Sequence, residues 1–239
     1  MCETHFWQVN RVLITNGIFN DRVNEIELYF QAVGQLYNTK SCFESEYVFH
    51  NDDFLKILKA NTLMMIYNLV ESSMIGGILE IYDRVKTTGL SYNDVCSEIK
   101  SIWFTFKFNQ VYDKSAHYNT YRDKALEIIN GIVNNETIIL DRKATAISGN
   151  LDADTIRQIC HDHGIVFSID ARCRGGIVLA DVKEKRNNLA HGTISFVECG
   201  RDYSLNDLTE IKNETVLFLR GLLDGMTSYY DNQEYLVTT

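Results

Sequence analysis

The sequence contains no proline among its 239 residues. A chain of this length and ordinary composition would carry roughly a dozen. Proline ends or kinks a helix because it lacks the backbone N–H and its ring collides with the preceding turn. Its absence therefore predicts long, uninterrupted helices joined by few rigid turns. The chain is long enough to bury either one sizeable core or two small ones.

The strongest helical pattern runs from about residue 52 to residue 86, after a cap at Asn51 or Asp52. Its apolar residues occur on nearly every side, which is typical of a central, buried helix. One polar line interrupts them, formed by Asn61, Asn68, Glu71 and Ser72. Polar groups on a buried helix need partners, so this line either joins neighbouring helices or borders a functional pocket.

Further helices are predicted at residues 9–37, 91–108, 118–133, 154–163, 176–191 and 204–230. Capping signals support the starts of three of these helices. The signals are Ser91 with Asp94 for 91–108, Asp152 or Asn150 for 154–163, and Ser204 with Asp207 for 204–230. Gly164 is expected to close the helix at 154–163. The whole pattern predicts an all-α helical bundle with antiparallel neighbours.

Residues 135–174 do not continue the pattern of long helices. The stretches 137–140 and 165–169 could form two short strands that pair as a β-hairpin. The segment is too short to bury a core of its own, so we expect an insertion in one helical domain spanning residues 1–239. His161 and His163 lie in this insertion. They point to different faces of a helix, and we expect both to be exposed to solvent rather than to hold a metal.

The formal net charge of −9 disfavours an extended nucleic-acid surface, which needs a basic stripe. A small cationic pocket is still compatible with this charge. Five basic residues cluster along the chain just where such a pocket would be needed: Arg172, Arg174, Lys183, Lys185 and Arg186.

The six cysteines occur without any C-x-x-C spacing. This pattern is typical of reduced thiols rather than of a disulfide framework or a zinc site. No apolar run is expected to reach the ~18 residues of a membrane span, and the first residues lack a charged-then-apolar signal. We therefore expect a soluble, cytoplasmic protein that does not engage a membrane.

The most distinctive stretch lies at the end of the predicted helix 176–191. Gly192 is the kind of residue that ends a helix in the left-handed conformation. His191 would then lie in the last turn, beside unpaired carbonyls that favour a charged imidazolium. Asn187 is four residues earlier on the same face, and Arg186 lies roughly 140° round the helix. These groups suit phosphodiester chemistry without a metal ligand or a cofactor, although the spacing alone is a weak signal.

The residues around this stretch resemble the HEPN superfamily. The resemblance is closest to a bacterial branch of HEPN-like nucleases that reads Arg-Asn-x-Leu-Ala-His-Gly, which here is Arg186-Asn187-Asn188-Leu189-Ala190-His191-Gly192. Other similar segments are residues 65–72, 148–153, 194–196 and 200–205. They follow in order over most of the chain, so together they are more specific than the motif alone.

The resemblance implies a helical bundle that works as a homodimer, in which the arginine–histidine helices of two copies meet in one cleft. It also implies a metal-independent endoribonuclease that acts through attack by the 2′-hydroxyl. A small pocket and the acidic overall charge do not suit a long duplex, so we expect cleavage in single-stranded or loop RNA. Catalysis would rest on Arg186, His191 and Asn187. Substrate contacts would come from Lys185, Asn68 and Glu71, and Glu71 could also orient the imidazole of His191 through its second nitrogen.

Nucleases of this branch are often toxins or antiphage effectors, so the resemblance implies control by an antitoxin or a defence-system partner. The alternative is a non-catalytic HEPN module that binds a nucleotide or another protein in a bacterial defence complex. Some HEPN proteins are modified on a tyrosine just after the motif. Gly192 and Thr193 follow His191 here, so that arrangement is not expected.

Overall fold

The computed structural model describes residues 13–39, 51–110, 118–145 and 147–237, and within these ranges it contains eight α-helices and no strand. The helices are α1 (Ile14–Thr39), α2 (Asn51–Thr87), α3 (Ser97–Asn109), α4 (Tyr118–Val133), α5 (Ala153–His163), α6 (Val178–Ala190), α7 (Phe196–Arg201) and α8 (Leu205–Asp231). Short 3-10 turns occupy Arg142–Thr145 and Ala171–Gly176. The prediction of an all-α bundle is confirmed. The predicted start of the first helix at residue 9 lies outside the described residues.

The long helix α2 is the centre of the bundle, as its all-round apolar pattern predicts. It packs against α1, α6, α7 and α8. One side contributes Leu69, Met74 and Ile78 to the larger core. Another side contributes Leu63 and Tyr67 to a second core that it shares with α6, α7 and α8. Helix α6, which carries the motif, is thereby packed directly onto α2.

A stretch of α2 is long enough and apolar enough to cross a membrane, judged by length and composition alone. The prediction that no run reaches this threshold is therefore wrong for α2. More than half of that stretch is buried inside the bundle, and the core helix of a soluble protein passes the same test.

Helix α7 approaches α2 closely enough to need a glycine at the contact. A Cβ added at Gly200 would lie 1.8 Å from the carbonyl oxygen of Lys56, which is far inside van der Waals contact. The short helix itself was not predicted. Its signal is the capping box in which Ser195 and Glu198 satisfy each other's backbone N–H groups. This contact sets the distance between α2 and the chain that follows the motif.

The predicted β-hairpin in the insertion is wrong, because its two stretches have different partners. Thr137 forms an isolated antiparallel bridge with Ser91. Residues 165–169 instead run along α8, where glycines leave room for them. A Cβ added at Gly221 would lie 2.2 Å from the Ser168 carbonyl oxygen, and one at Gly225 would lie 2.4 Å from the Phe167 Cβ.

The described part of the 135–174 segment packs into the larger core rather than onto the outside of the bundle. Helix α5 and the turn at Arg142–Thr145 contact α3, and the turn at Ala171–Gly176 contacts α8. The buried side chains that the segment contributes are Ile138, Leu140, Leu151, Ala153, Ile156, Ile159, Cys160, Ile165 and Cys173.

Local capping signals mark most helix ends correctly. Helix α5 begins after Asp152, whose side chain accepts from the Thr155 N–H, and ends at Gly164 with φ 73°. Helix α8 begins with a capping box at Ser204. The signal at Ser91 is misleading, because its contacts with Asp94 close a turn and α3 begins only at Ser97.

Among the described cysteines, Cys96, Cys160, Cys173 and Cys199 are free thiols, and all but Cys96 are buried. This agrees with the prediction of reduced thiols. Cys2 and Cys42 lie outside the described residues.

His163 is buried, so its predicted exposure is wrong, whereas His161 is exposed as expected. The two point to different faces of α5, but the face of His163 is the one that carries Ile156, Ile159 and Cys160 into the core. The His163 Nδ1 lies 2.7 Å from the Ile159 carbonyl oxygen and its Nε2 lies 2.7 Å from the Tyr82 hydroxyl. A carbonyl only accepts, so Nδ1 carries a proton and Nε2 can accept from the hydroxyl.

We predict a pH dependence of stability from this histidine. Burial lowers the pKa of His163 below that of the unfolded chain, which is about 6.5. The unfolded state therefore binds more protons, so this contribution is complete above pH 6.5 and is lost as the pH falls toward the folded value, by up to about 1.4 kcal/mol per pH unit. Urea unfolding of the wild type from pH 7.5 to 5 measures the slope.

His163→Gln should flatten this part of the profile, and His161→Gln, at an 83% exposed side chain, should leave it as in the wild type. An unchanged slope in the His163 variant would contradict the assignment.

Candidate functional site

The motif helix α6 ends as the glycine predicts. Gly192 has φ 69°, and the Thr193 N–H donates to the Asn188 carbonyl at 2.8 Å, which closes the last turn. His191 is the residue directly after α6, and it is exposed. Its imidazole is therefore accessible at the carboxyl end of the helix.

Arg186 lies one and a half turns earlier and is held by four groups, which we call the arginine cradle: Tyr67, Glu71, Gly149 and Asn187. Its guanidinium carbon is 4.4 Å from the centroid of the Tyr67 ring. Its Nη1 donates to the Gly149 carbonyl at 3.3 Å and to Asn187 Oδ1 at 2.9 Å. Its Nη2 is 3.6 Å from Glu71 Oε2. The side chain remains 25% exposed, so the guanidinium is oriented but not sealed.

Tyr67 fixes the loop that forms one wall of the arginine cradle. Its hydroxyl donates to the Gly149 carbonyl and accepts from the Leu151 N–H at 3.1 Å. Burial raises the pKa of this phenol, so the hydroxyl keeps the proton that it donates. Gly149 has φ 79°, a conformation that favours glycine. The loop is also held by the Asn187 Nδ2, which donates to Asn150 Oδ1 at 2.7 Å.

Three of the sequence segments that carried the resemblance meet at this cradle. Tyr67 and Glu71 come from α2, Gly149 comes from the 148–153 segment, and Arg186 with Asn187 comes from the motif. Segments that are far apart in the chain thus surround one guanidinium.

Glu71 faces two guanidiniums and not the histidine. Its Oε2 lies near Arg186, and its Oε1 is 3.3 Å from the Nη2 of Arg142. Glu71 and His191, both among the described residues, form no ion pair, so the prediction that Glu71 orients His191 is wrong. Glu71 lies beside the middle of α6, whereas His191 lies beyond its end.

Neither of the other two predicted substrate contacts belongs to the cradle. Asn68 is exposed, and its carbonyl is 3.5 Å from the Nη1 of Arg22. Lys185 points toward α7, where its Nζ is 3.7 Å from Asp202 Oδ2 and 5.8 Å from the centre of the Tyr203 ring. A single step along a helix rotates the side chain by roughly 100°, which turns Lys185 away from Arg186.

The basic residues that cluster in sequence do not line one pocket. Each pairs with its own carboxylate: Arg172 with Asp170, Arg174 with Glu214, Lys183 with Asp152, Lys185 with Asp202, and Arg186 with Glu71. Arg142, whose guanidinium is the second one beside Glu71, was not among the predicted site residues. No signal in its neighbourhood could have identified it, because its proximity arises only when the Arg142–Thr145 turn packs on α2.

We predict that the hydroxyl of Tyr67, whose side chain is fully buried, stabilises the folded protein. Tyr67→Phe leaves the Leu151 N–H and the Gly149 carbonyl without this partner, so the free energy of unfolding should fall by about 1–3 kcal/mol. Denaturant unfolding followed by circular dichroism measures it. The control Tyr118→Phe, at a 78% exposed residue, should stay within about 0.5 kcal/mol of the wild type. Equal stability of both variants would contradict the role assigned to the hydroxyl.

No curated protein and no solved structure matches the chain. A model of the MAE_28990-like HEPN family matches residues 18–235, a range that runs from the second turn of α1 past the end of α8 and includes the whole arginine cradle. The chain therefore belongs to the MAE_28990-like HEPN family.

Proposed function

We propose that the protein is an endoribonuclease in which Arg186 and His191 act on the scissile phosphodiester. The observation that carries this proposal is the arginine cradle, which orients a partly exposed guanidinium on the same helix that ends in an exposed histidine. Family membership supports the reading, since the motif residues are those on which the resemblance to HEPN nucleases rests. The proposed substrate is single-stranded or loop RNA.

The proposed reaction needs only protein groups and the 2′-hydroxyl of the substrate. The 2′-oxygen attacks phosphorus while the bond from phosphorus to the 5′-oxygen breaks, which leaves a 2′,3′-cyclic phosphate and a 5′-hydroxyl. One imidazole accepts the 2′-hydroxyl proton, and an imidazolium donates a proton to the leaving oxygen. The Arg186 guanidinium stabilises the negative charge that grows on the non-bridging oxygens.

Asn187 has a more specific proposed role than its place in the motif suggests. Its Oδ1 accepts from Arg186 and its Nδ2 donates to Asn150. Both polar ends of the amide are thus used to hold the guanidinium and the adjacent loop. We assign Asn187 to positioning Arg186.

Glu71 leaves the guanidinium available to a phosphate. The 3.6 Å separation between Glu71 Oε2 and Arg186 Nη2 is an ion pair that is too long for a good hydrogen bond. A phosphate oxygen at ordinary distance would bind that N–H more closely than the carboxylate does.

A homodimer is part of the proposal. Arg186 and His191 lie roughly 140° apart around one helix, so a single copy does not direct both side chains at the same phosphate. Two copies related by a twofold axis would place the arginine of one near the histidine of the other.

The biological role that we propose is a cytoplasmic toxin or antiphage effector whose activity a partner protein controls.

One observation favours the alternative, a non-catalytic HEPN module that binds a nucleotide or a partner. Arg186 already has four partners within the chain, as an arginine with a structural role would. Such a module would tolerate the loss of His191, because this exposed side chain is not part of the arginine cradle.

Cleavage of a labelled single-stranded RNA in the presence of EDTA separates the two readings. Arg186→Ala and His191→Ala should each lower the cleavage rate by about 100-fold or more. The matched controls Arg172→Ala and His161→Ala alter side chains that are 75% and 83% exposed, and they should cleave as the wild type does.

Circular dichroism confirms that each variant is folded. A His191→Ala protein that cleaves at the wild-type rate would exclude the proposed enzyme.

A further inference from the structure

A solvent-open groove runs beside the arginine cradle, on the side of α2 that faces α1 and the turn at Arg142–Thr145. Five of its seven lining residues carry a polar side chain, and the full lining is Arg22, Asn68, Glu71, Ser72, Ile75, Gly76 and Arg142. Asn68, Glu71 and Ser72 of the polar line predicted on α2 lie in it, whereas Asn61 does not. The groove therefore explains why the otherwise apolar central helix carries amide, carboxylate and hydroxyl groups on this side.

Two arginines flank the groove, and neither is held tightly. The Arg22 Nη1 is 3.5 Å from the Asn68 carbonyl, which is at the limit of a hydrogen bond. Arg142 has a 65% exposed side chain, and its Nη2 is 3.3 Å from Glu71 Oε1. A guanidinium carries five N–H donors. Both side chains therefore retain donors for an anionic ligand.

The local charge is positive although the protein as a whole is acidic. Among the described residues that line the groove, Glu71 is the only carboxylate, and it contacts both Arg142 and Arg186. Counting the lining residues Arg22 and Arg142 against Glu71 leaves one formal positive charge. The chain carries a net charge of −9, so this face differs in sign from the average surface.

Glu71 also makes the groove continuous with the arginine cradle. One carboxylate oxygen faces Arg142 in the groove, and the other faces Arg186 in the cradle. A linear polyanion with one phosphate at Arg186 could continue directly past Arg142 toward Arg22. A ligand with a single phosphate would not need the second and third guanidiniums.

We propose that this groove is a subsite for the backbone phosphates of single-stranded RNA that flank the scissile phosphate. Arg142 holds the nearer phosphate and Arg22 a more distant one, and the exposed Asn68 contacts the intervening nucleotide. This assignment rests on the proposed nuclease function and adds residues that the motif does not contain.

The salt dependence of binding tests the subsite. The probe is a fluorescent single-stranded oligonucleotide with a 2′-O-methyl group on every ribose, which keeps the phosphates and removes the nucleophile. Each phosphate contact contributes about 0.7 to the slope of log affinity against log salt concentration for a single strand. Arg22→Gln and Arg142→Gln should each lower the slope by about that amount, and the double variant by about twice as much.

Two controls separate a subsite from a general effect of charge. Arg122→Gln removes the same charge from α4, at a side chain that is 53% exposed, and should keep the wild-type slope. Arg142→Lys retains the charge and should keep most of the wild-type slope. Wild-type slopes in both groove variants, or an equal decrease with Arg122→Gln, would overturn the proposal.

Cleavage by the same proteins distinguishes a failure of the subsite from a failure of the proposed nuclease function. A wild type that cleaves RNA while the groove variants keep its slope would reject only the subsite. A wild type that neither binds the probe nor cleaves RNA would reject the proposed function and the subsite together.

Discussion

The contact between the Arg186 guanidinium and the Tyr67 ring is the interaction on which the rest of the site depends. A partly buried cation needs acceptors and a favourable surface. Here the ring comes from α2, the carbonyl from the 148–151 loop, and the amide from α6 itself. One side chain thus ties together three parts of the chain, and the Tyr67 hydroxyl links two of them again. The arginine is oriented by groups of the chain itself, which is what the proposed electrostatic stabilisation of a transition state would require.

The bundle supplies the rigidity that this contact requires. Proline-free α2 runs unbroken for 37 residues, so Tyr67 and Glu71 keep a fixed relation to both cores. The close approach of Gly200 to the Lys56 carbonyl and the shared second core hold α6 and α7 against α2. The exposed histidine follows at the end of α6, where Gly192 reverses the chain. Packing therefore determines where the arginine points, and a helix terminus determines where the histidine lies.

Signals confined to a few neighbouring residues were sufficient to predict much of the fold. The caps at Asp152 and Ser204 and the left-handed glycines at 164 and 192 mark helix ends because their energetics are local. Features that depend on tertiary partners were not predictable. Residues 165–169 lie along α8 instead of forming a hairpin, and His163 turns inward toward Tyr82. At the candidate site, periodicity relates Asn187 and Arg186 to His191 within one helix, but it cannot show that Glu71 faces Arg142 rather than His191.

The most direct test of the central claim uses one defined 2′-hydroxyl. A single-stranded RNA whose cleavage position has been mapped is compared with the same strand carrying a 2′-deoxy nucleotide on the 5′ side of that position, in excess EDTA. We expect the cut to vanish at the deoxy position only, and the unmodified strand to yield a 2′,3′-cyclic phosphate. Cleavage that persists at the deoxy position would show that the 2′-hydroxyl is not the nucleophile, and it would contradict the chemistry assigned to Arg186 and His191.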